Sequence, residues 1–362
     1  MLIGVDCSHL VEEGRTGTEN YLYNLLKNLA VVDMENEYLM YFRTVPSKMF
    51  WDDICRRNIL WRYTVIDSKV SWMQVGLARA TFTDRLDRLL CTWHTLPVIH
   101  SPRTKIISVI HDFSCSILRS YPLYASLLLS YRLIGVSDYT YGGIVARVPW
   151  RKRSVYRQYE GVDLLKYRKS DSSSIDATRK KYMLDKPFFL SVGTLNPRKN
   201  LEKMISAFSL FSEEHEDARV DYVIVGKCAK GYRAIYDFAE KTRFSNRVRF
   251  LGCLDDGEVV DLYSSALALL FVSKDEGFGL PILEAMACGC TVITSNIASM
   301  GEVSGDVAIT AIFDDVESIT NALRCTVDPD SQNLLTRKKF AGLERVKMFS
   351  WKQCAEFLKN IY

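Results

Sequence analysis

The 362-residue sequence has no uninterrupted apolar run approaching the ~18 residues that a membrane-spanning helix needs. Its start, Met1-Leu-Ile-Gly-Val-Asp6, reads as a strand and not as a charged and then apolar leader. The expectation is therefore a cytoplasmic protein, at most peripheral at the inner face of a membrane. Net charge is also small: Lys and Arg number 47 against 43 Asp and Glu, a net of +4, which does not imply a nucleic-acid partner. The ten cysteines, at 7, 55, 91, 115, 228, 253, 288, 290, 325 and 354, form no Cys-x-x-Cys pair and no zinc spacing. They read as reduced core residues. Gly-x-Gly-x-x-Gly is missing at both places where a sheet begins, which argues against a nicotinamide dehydrogenase.

What is present centres on Ser273–Thr294. The apolar run Leu267–Val272 before it reads as a buried strand. Gly277 and Gly279 loosen a loop, Pro281 presets a first-turn φ, Ile282–Cys288 reads as a helix and Gly289 ends it. Glu276 then falls in a loop at a strand's carboxyl end, and Glu284 in the first helical turn. Unpaired N–H groups at a helix start suit a phosphate. Two carboxylates beside it suit the hydroxyls of a ribose and a sugar, and together these features ask for a nucleotide-sugar.

Glu276-Gly-Phe-Gly-Leu-Pro-Ile-Leu-Glu284, followed by Ala-Met-Ala-Cys-Gly289, resembles the Glu-x7-Glu motif of retaining glycosyltransferases of family 4, mannosyltransferase-like members among them. The bland alternative is a strand, loop and helix carrying solvated acids. The Gly-Phe-Gly-Leu-Pro insert makes the match specific. The resemblance implies an α/β chain of the GT-B fold, two Rossmann-like βαβ domains facing a cleft. It also implies roles. Glu284 would accept from ribose hydroxyls, and Glu276 with the N–H groups of Phe278, Gly279 and Leu280 would hold the donor sugar.

The second sheet would open at Phe188–Val192, running into Gly193-Thr-Leu-Asn-Pro-Arg-Lys-Asn200 and a helix from Leu201. Lys199 matches the family's diphosphate-binding basic residue, with Arg198 as its neighbour. Many relatives carry a second basic residue where this chain has Thr194. In the first half, Gly17 lies in a loop between a strand and a helix, and matches the glycine that approaches the donor phosphate and the acceptor. His111 follows the strand Ile106–Ile110, a position that points into the ligand crevice of an α/β sheet. By resemblance it touches the donor sugar from across the cleft. His94 reads as solvated or structural. Glu160-Gly-Val-Asp163 matches the family's Asn-Gly-Val-Asp with Glu for Asn, and Gly301 stands where a Pro is usual. Asp328-Pro-Asp330 spells the metal signature of the other glycosyltransferase architecture, but sits in a polar stretch between helices and reads as solvated.

The expected organisation is a Rossmann-like acceptor-side domain over 1–165 and a polar linker over 166–186. A nucleotide-sugar domain over 187–345 follows, and then a terminal helix over 346–362 that crosses back to the first domain. The expected activity is transfer of a hexose, with mannose from GDP-mannose first, to a glycan or lipid-linked acceptor with retention. Catalytic roles fall to Glu276, His111 and Lys199, and no metal or other cofactor is expected. A degenerate nucleotide-sugar-binding module, and an epimerase or hydrolase on the same fold, are the alternatives. Trp150-Arg-Lys-Arg153 reads either as a membrane-facing basic cluster or as a solvated turn.

Overall fold

The structure, a computed structural model, describes every residue except Glu13, Arg57, Lys69 and 114–120. Cys115 therefore lies outside the described residues. The chain divides into two compact units, Met1–Gly161 with Ser350–Tyr362, and Val162–Phe349.

Among the described residues the first unit holds seven strands: β1 (Leu2–Asp6), β2 (Glu37–Phe42), β3 (Trp61–Val65), β4 (Arg88–Cys91), β5 (Lys105–Ile110), β6 (Arg132–Gly135) and β7 (Val155–Arg157). All pairings are parallel, in the order β3-β2-β1-β4-β5-β6-β7. The strands alternate with helices, as a parallel sheet covered on both faces requires. Gly17 opens the helix Gly17–Val32, whose capping box is closed by Thr16 and Glu19. The chain's last helix, Trp351–Ile361, belongs to this unit and starts on the side chain of Ser350.

The second unit holds β8 (Phe188–Val192), β9 (Asp221–Val225), β10 (Val248–Gly252), β11 (Ala268–Phe271), β12 (Val292–Thr294) and β13 (Ile309–Thr310). They too run parallel, in the order β10-β9-β8-β11-β12-β13. Its core packs the apolar stripe of the helix Leu201–Glu214 on the sheet. Phe211 lies edge-on to Phe189 at 5.4 Å between ring centres, and Phe208 lies 5.5 Å from Tyr222. Each such fully buried ring contributes roughly 1.5–3 kcal/mol. In both sheets the strand order reverses beside the first strand, between β1 and β4 and between β8 and β11. Loops leave a parallel sheet in opposite directions at such a point, and a crevice opens outside the strand ends.

Two expectations are corrected here. The stretch 166–186 is not a linker but part of the second unit, which begins at Val162. Its helix Ser172–Lys181 is pinned there because the hydroxyls of Ser174 and Thr178 donate to the buried Asp261 carboxylate at 2.6–3.0 Å. Six of the described cysteines are buried and free, but Cys228, Cys253 and Cys325 are exposed and so are not core residues.

Candidate active site

At the end of β8 the chain turns through Gly193, at φ 144°, into a loop that Gly226 supports from the next strand end. A Cβ on Gly226 would fall 1.9 Å from the Gly193 carbonyl oxygen, so only glycine allows this approach. The loop closes in a single 3-10 turn, Pro197–Lys199, that stops at Asn200. Asn200 adopts the left-handed conformation, φ 61°, which Asn tolerates better than most residues. Its buried amide donates to the carbonyls of Val272 (3.0 Å) and Phe313 (2.6 Å), which fixes the lysine before it against the end of β11.

β11 runs out through Val272 and Ser273 to Glu276. Here Lys199 and Glu276 meet: Nζ lies 2.6 Å from Oε1, with the side chains 15% and 9% exposed. The two residues expected to serve a diphosphate and a sugar thus neutralise one another across the strand order's reversal. The backbone around them is tied down by Ser299, a buried residue whose Oγ lies 2.8 Å from the carbonyl oxygens of both Glu276 and Phe278. Gly279, at φ 107°, caps the helix Leu280–Ala287, with Pro281 in its first turn. The helix thus begins two residues before the expected Ile282, because proline needs no N–H partner there and the glycine alone accepts the turn. Arg198 faces the same loop, and its carbonyl accepts from the Lys274 N–H at 3.0 Å. Ser191, Gly193, Lys199, Phe271 and Ser273 line a small recess. The Oγ of Ser273 is buried there with no hydrogen-bond partner among the described residues.

Glu284 stands apart from that pair. Tyr263, fully buried, donates to its Oε2 at 3.0 Å, and the Tyr167 hydroxyl also bonds to it. Burial pushes the carboxyl up from its ordinary value, and Lys166 and the two phenols pull it part of the way back. Burial raises both phenols too, so they remain donors. A carboxylate with two fixed donors keeps lone pairs for further hydroxyls. Tyr167, Tyr263 and Ser299 carry no motif that marks them in the sequence; only the fold shows their work.

In the first unit, Gly17 has open space on its Cβ side, where a Cβ would meet nothing within 4 Å among the described residues beyond its chain neighbours and own helix. His111 follows β5 directly and is buried. Its Nδ1 lies 3.1 Å from Oε1 of Glu160, itself buried after β7. Its backbone N–H donates to Nε2 of His94 at 2.9 Å, which gives His94 a structural task. The departure from the family at Gly301 also has a local cause: a Cβ there would sit 2.9 Å from the Asn296 carbonyl oxygen. Asp328 of Asp328-Pro-Asp330 accepts from the Ser331 hydroxyl and the Asp330 N–H, and so caps a 3-10 turn.

Residues 174–325 match the family model of glycosyl transferases group 1. The chain carries a glycosyl transferases group 1 domain. Its relatives include the O-antigen chain mannosyltransferase B of Escherichia coli, 27% identical over 301 residues, covering 77% of this chain and 71% of that protein. The serotype-specific mannosyltransferase WbdA of Escherichia coli is 38% identical over 133 residues, 36% of this chain and only 16% of that longer protein. Among solved structures, Anabaena Alr3699/HepE in complex with UDP and glucose superposes with a TM-score of 0.77 at 17% identity, covering 100% of this chain and 99% of that one. WaaG, a glycosyltransferase involved in lipopolysaccharide biosynthesis, superposes at 0.75 with 14% identity and 99% coverage of both chains. The fold is accordingly GT-B, with two parallel-sheet Rossmann-like units, and the second unit carries the glycosyl transferases group 1 domain. The matched segment contains Lys199, Glu276 and Glu284.

Proposed function

We propose that this glycosyltransferase moves a hexose, with mannose from GDP-mannose the first candidate, from a nucleoside-diphosphate sugar to a glycan or lipid-linked acceptor with retention of anomeric configuration. The observation that carries this reading is the Lys199–Glu276 pair at the carboxyl ends of β8 and β11, on a domain whose relatives are named as mannosyltransferases. Lys199 and Arg198, with the N–H groups at the start of the helix Leu280–Ala287, would neutralise the diphosphate as the bond to the anomeric carbon breaks. When a diphosphate departs, such fixed positive charge is the main catalytic contribution. Glu276, with the N–H groups of Phe278, Gly279 and Leu280, would then bind the sugar hydroxyls, and Glu284 the ribose. By the resemblance, Gly17 would approach the donor phosphate and His111 the donor sugar. Retention would proceed by front-side attack of the acceptor hydroxyl, and no metal is assigned a role.

Placement at the inner face of a membrane is part of this proposal. Trp150, Lys152 and Arg153 are exposed, and so are Tyr121, Tyr124, Leu128 and Leu129 of the helix Tyr121–Leu129. Arg151 ties the two segments together by donating to the carbonyls of Leu127 and Ser130. Among the described residues no helix is long and apolar enough to cross a membrane.

The test is a thermal-shift panel of GDP, UDP, ADP, CDP and NAD on the wild type and on Glu284→Ala and Lys199→Ala. A ligand at ~100 times its Kd adds about 2.7 kcal/mol to stability. One nucleoside diphosphate should shift the wild type, and shift both variants less. No shift with any of them overturns the reading, and a product of inverted configuration overturns the front-side step.

A further inference from the structure

His111 is held from several sides. Its ring packs perpendicular to that of Tyr21 of the helix Gly17–Val32, with centroids 4.8 Å apart and planes at 81°. Tyr21 packs in turn on Trp351 at 5.7 Å. The backbone of the Glu160-Gly161 turn presses so closely on the start of the last helix that a Cβ on Gly161 would lie 2.3 Å from the Trp351 nitrogen. This turn delivers the Glu160 carboxylate to one ring nitrogen, Nδ1. The other, Nε2, is buried and has no hydrogen-bond partner among the described residues. A buried polar atom without a partner is costly, and it marks a place where a ligand atom completes the bonding.

The protons can be followed from group to group. The His111 backbone N–H donates to Nε2 of His94, so that nitrogen carries no proton. A carboxylate is only an acceptor, so the Nδ1 facing Glu160 carries the proton of the His111 ring. The neutral ring then keeps its lone pair on Nε2. Which nitrogen of a histidine is protonated is set by the bond the other one makes, and here Glu160 makes that bond.

We propose that Glu160, the departure from the family's asparagine, is a positioning residue that holds His111 as the Nδ1–H tautomer. Nε2 is thereby left to accept a hydrogen bond from a hydroxyl of the sugar. Asparagine at this position is one methylene shorter and neutral, and it offers no carboxylate to that nitrogen. This chain has built a His–carboxylate pair where similar enzymes have a turn amide.

The experiment has a spectroscopic and a kinetic arm, both on the full chain. The first is 15N NMR of ring-labelled histidine, with five histidines to assign and His111→Ala identifying the resonance. With the ring neutral, the wild type should show a protonated Nδ1 and a bare Nε2, and Glu160→Gln should move protons onto Nε2. A wild-type ring already protonated at Nε2 overturns the proposal. In the kinetic arm, Glu160→Gln and Glu160→Asn should lower kcat roughly 10- to 100-fold with a smaller effect on the donor's KM. That is the scale on which loss of a histidine's carboxylate partner is felt at metal sites. In a His111→Ala background either change should have no further effect, whereas losses that multiply would show that Glu160 acts independently of the ring. The kinetic arm rests on the transferase reading and the NMR arm does not. An Nδ1–H ring in a protein without transferase activity therefore sinks that reading and leaves the positioning of His111 by Glu160 standing.

Discussion

Lys199→Met and Glu276→Gln separate the two tasks of the central ion pair. Breaking a buried pair by removing one partner costs about 3–5 kcal/mol, because it strands the other charge. Here the side chains keep 15% and 9% exposure, so solvent screens part of that loss and ~2–3 kcal/mol is the expected cost of Lys199→Met. For a domain of 150–250 residues this lowers Tm by about 4–12 °C. The double variant should regain most of it, since no charge is left stranded, and the coupling read from the cycle should be on the order of 1–3 kcal/mol. Nucleotide binding should split the single variants in opposite directions. Lys199→Met loses a charge-assisted contact to the diphosphate, worth about 1.5–3 kcal/mol, and with it roughly 10- to 150-fold in affinity. Glu276→Gln releases the lysine from a competing anion, so it should bind nucleoside diphosphate at least as tightly as the wild type while losing sugar transfer. Calorimetric titration with GDP and urea denaturation read both effects. If both variants bind like the wild type, or if the double variant is destabilised by the sum of the singles, the pair does not work as described.

Glu284 predicts a pH signature. Its carboxyl is raised in the folded protein above the ordinary 4.5, so its contribution to stability is present below that value and is lost as pH rises through the folded one. Stability of the wild type relative to Glu284→Gln should therefore fall with rising pH from 4.5 upward, by at most ~1.4 kcal/mol per unit, and a flat difference in urea midpoints across that window refutes it. The exposed Trp150 cluster predicts co-sedimentation with vesicles containing anionic lipid, weakened by salt and by Trp150→Ser. Binding that is absent, or equal on neutral vesicles at high salt, removes the membrane proposal.

The strands that carry the site were legible because they are continuous apolar runs ending in loops rich in Gly and Pro. Phe188–Val192 and Leu2–Asp6 have the expected limits in the structure. β7 and β13 were not legible: at three and two residues they are edge strands too short to show a period. Polar composition misled at Ser170–Ser174, because hydroxyls bonded to a buried carboxylate are indistinguishable in sequence from hydroxyls in water. The motif positions Lys199 and Glu276 were readable one by one. Their contact spans 77 residues of chain, and only the parallel pairing of β8 with β11 creates it. Glu160 was visible as a departure from a pattern, and its meaning came only when β5 and β7 placed it beside His111.

Stability alone gives a poor account of these groups. A buried ion pair replaced by apolar residues of similar volume is often neutral or stabilising, so packing does not explain Lys199–Glu276. It explains still less the buried Ser273 Oγ and His111 Nε2, which have no partner among the described residues, or a carboxyl at Glu284 held above its ordinary range. Four of these five residues follow the carboxyl end of a parallel strand: Lys199 after β8, Ser273 and Glu276 after β11, His111 after β5. Glu284 lies in the helix that follows one of them. Arrangements that cost the folded chain something, found in each unit where loops leave its own sheet, are what a charged and hydroxyl-rich ligand would repay. The two departures that could signal decay of such a site point the other way, since Gly301 answers a backbone contact and Glu160 completes a bond to His111.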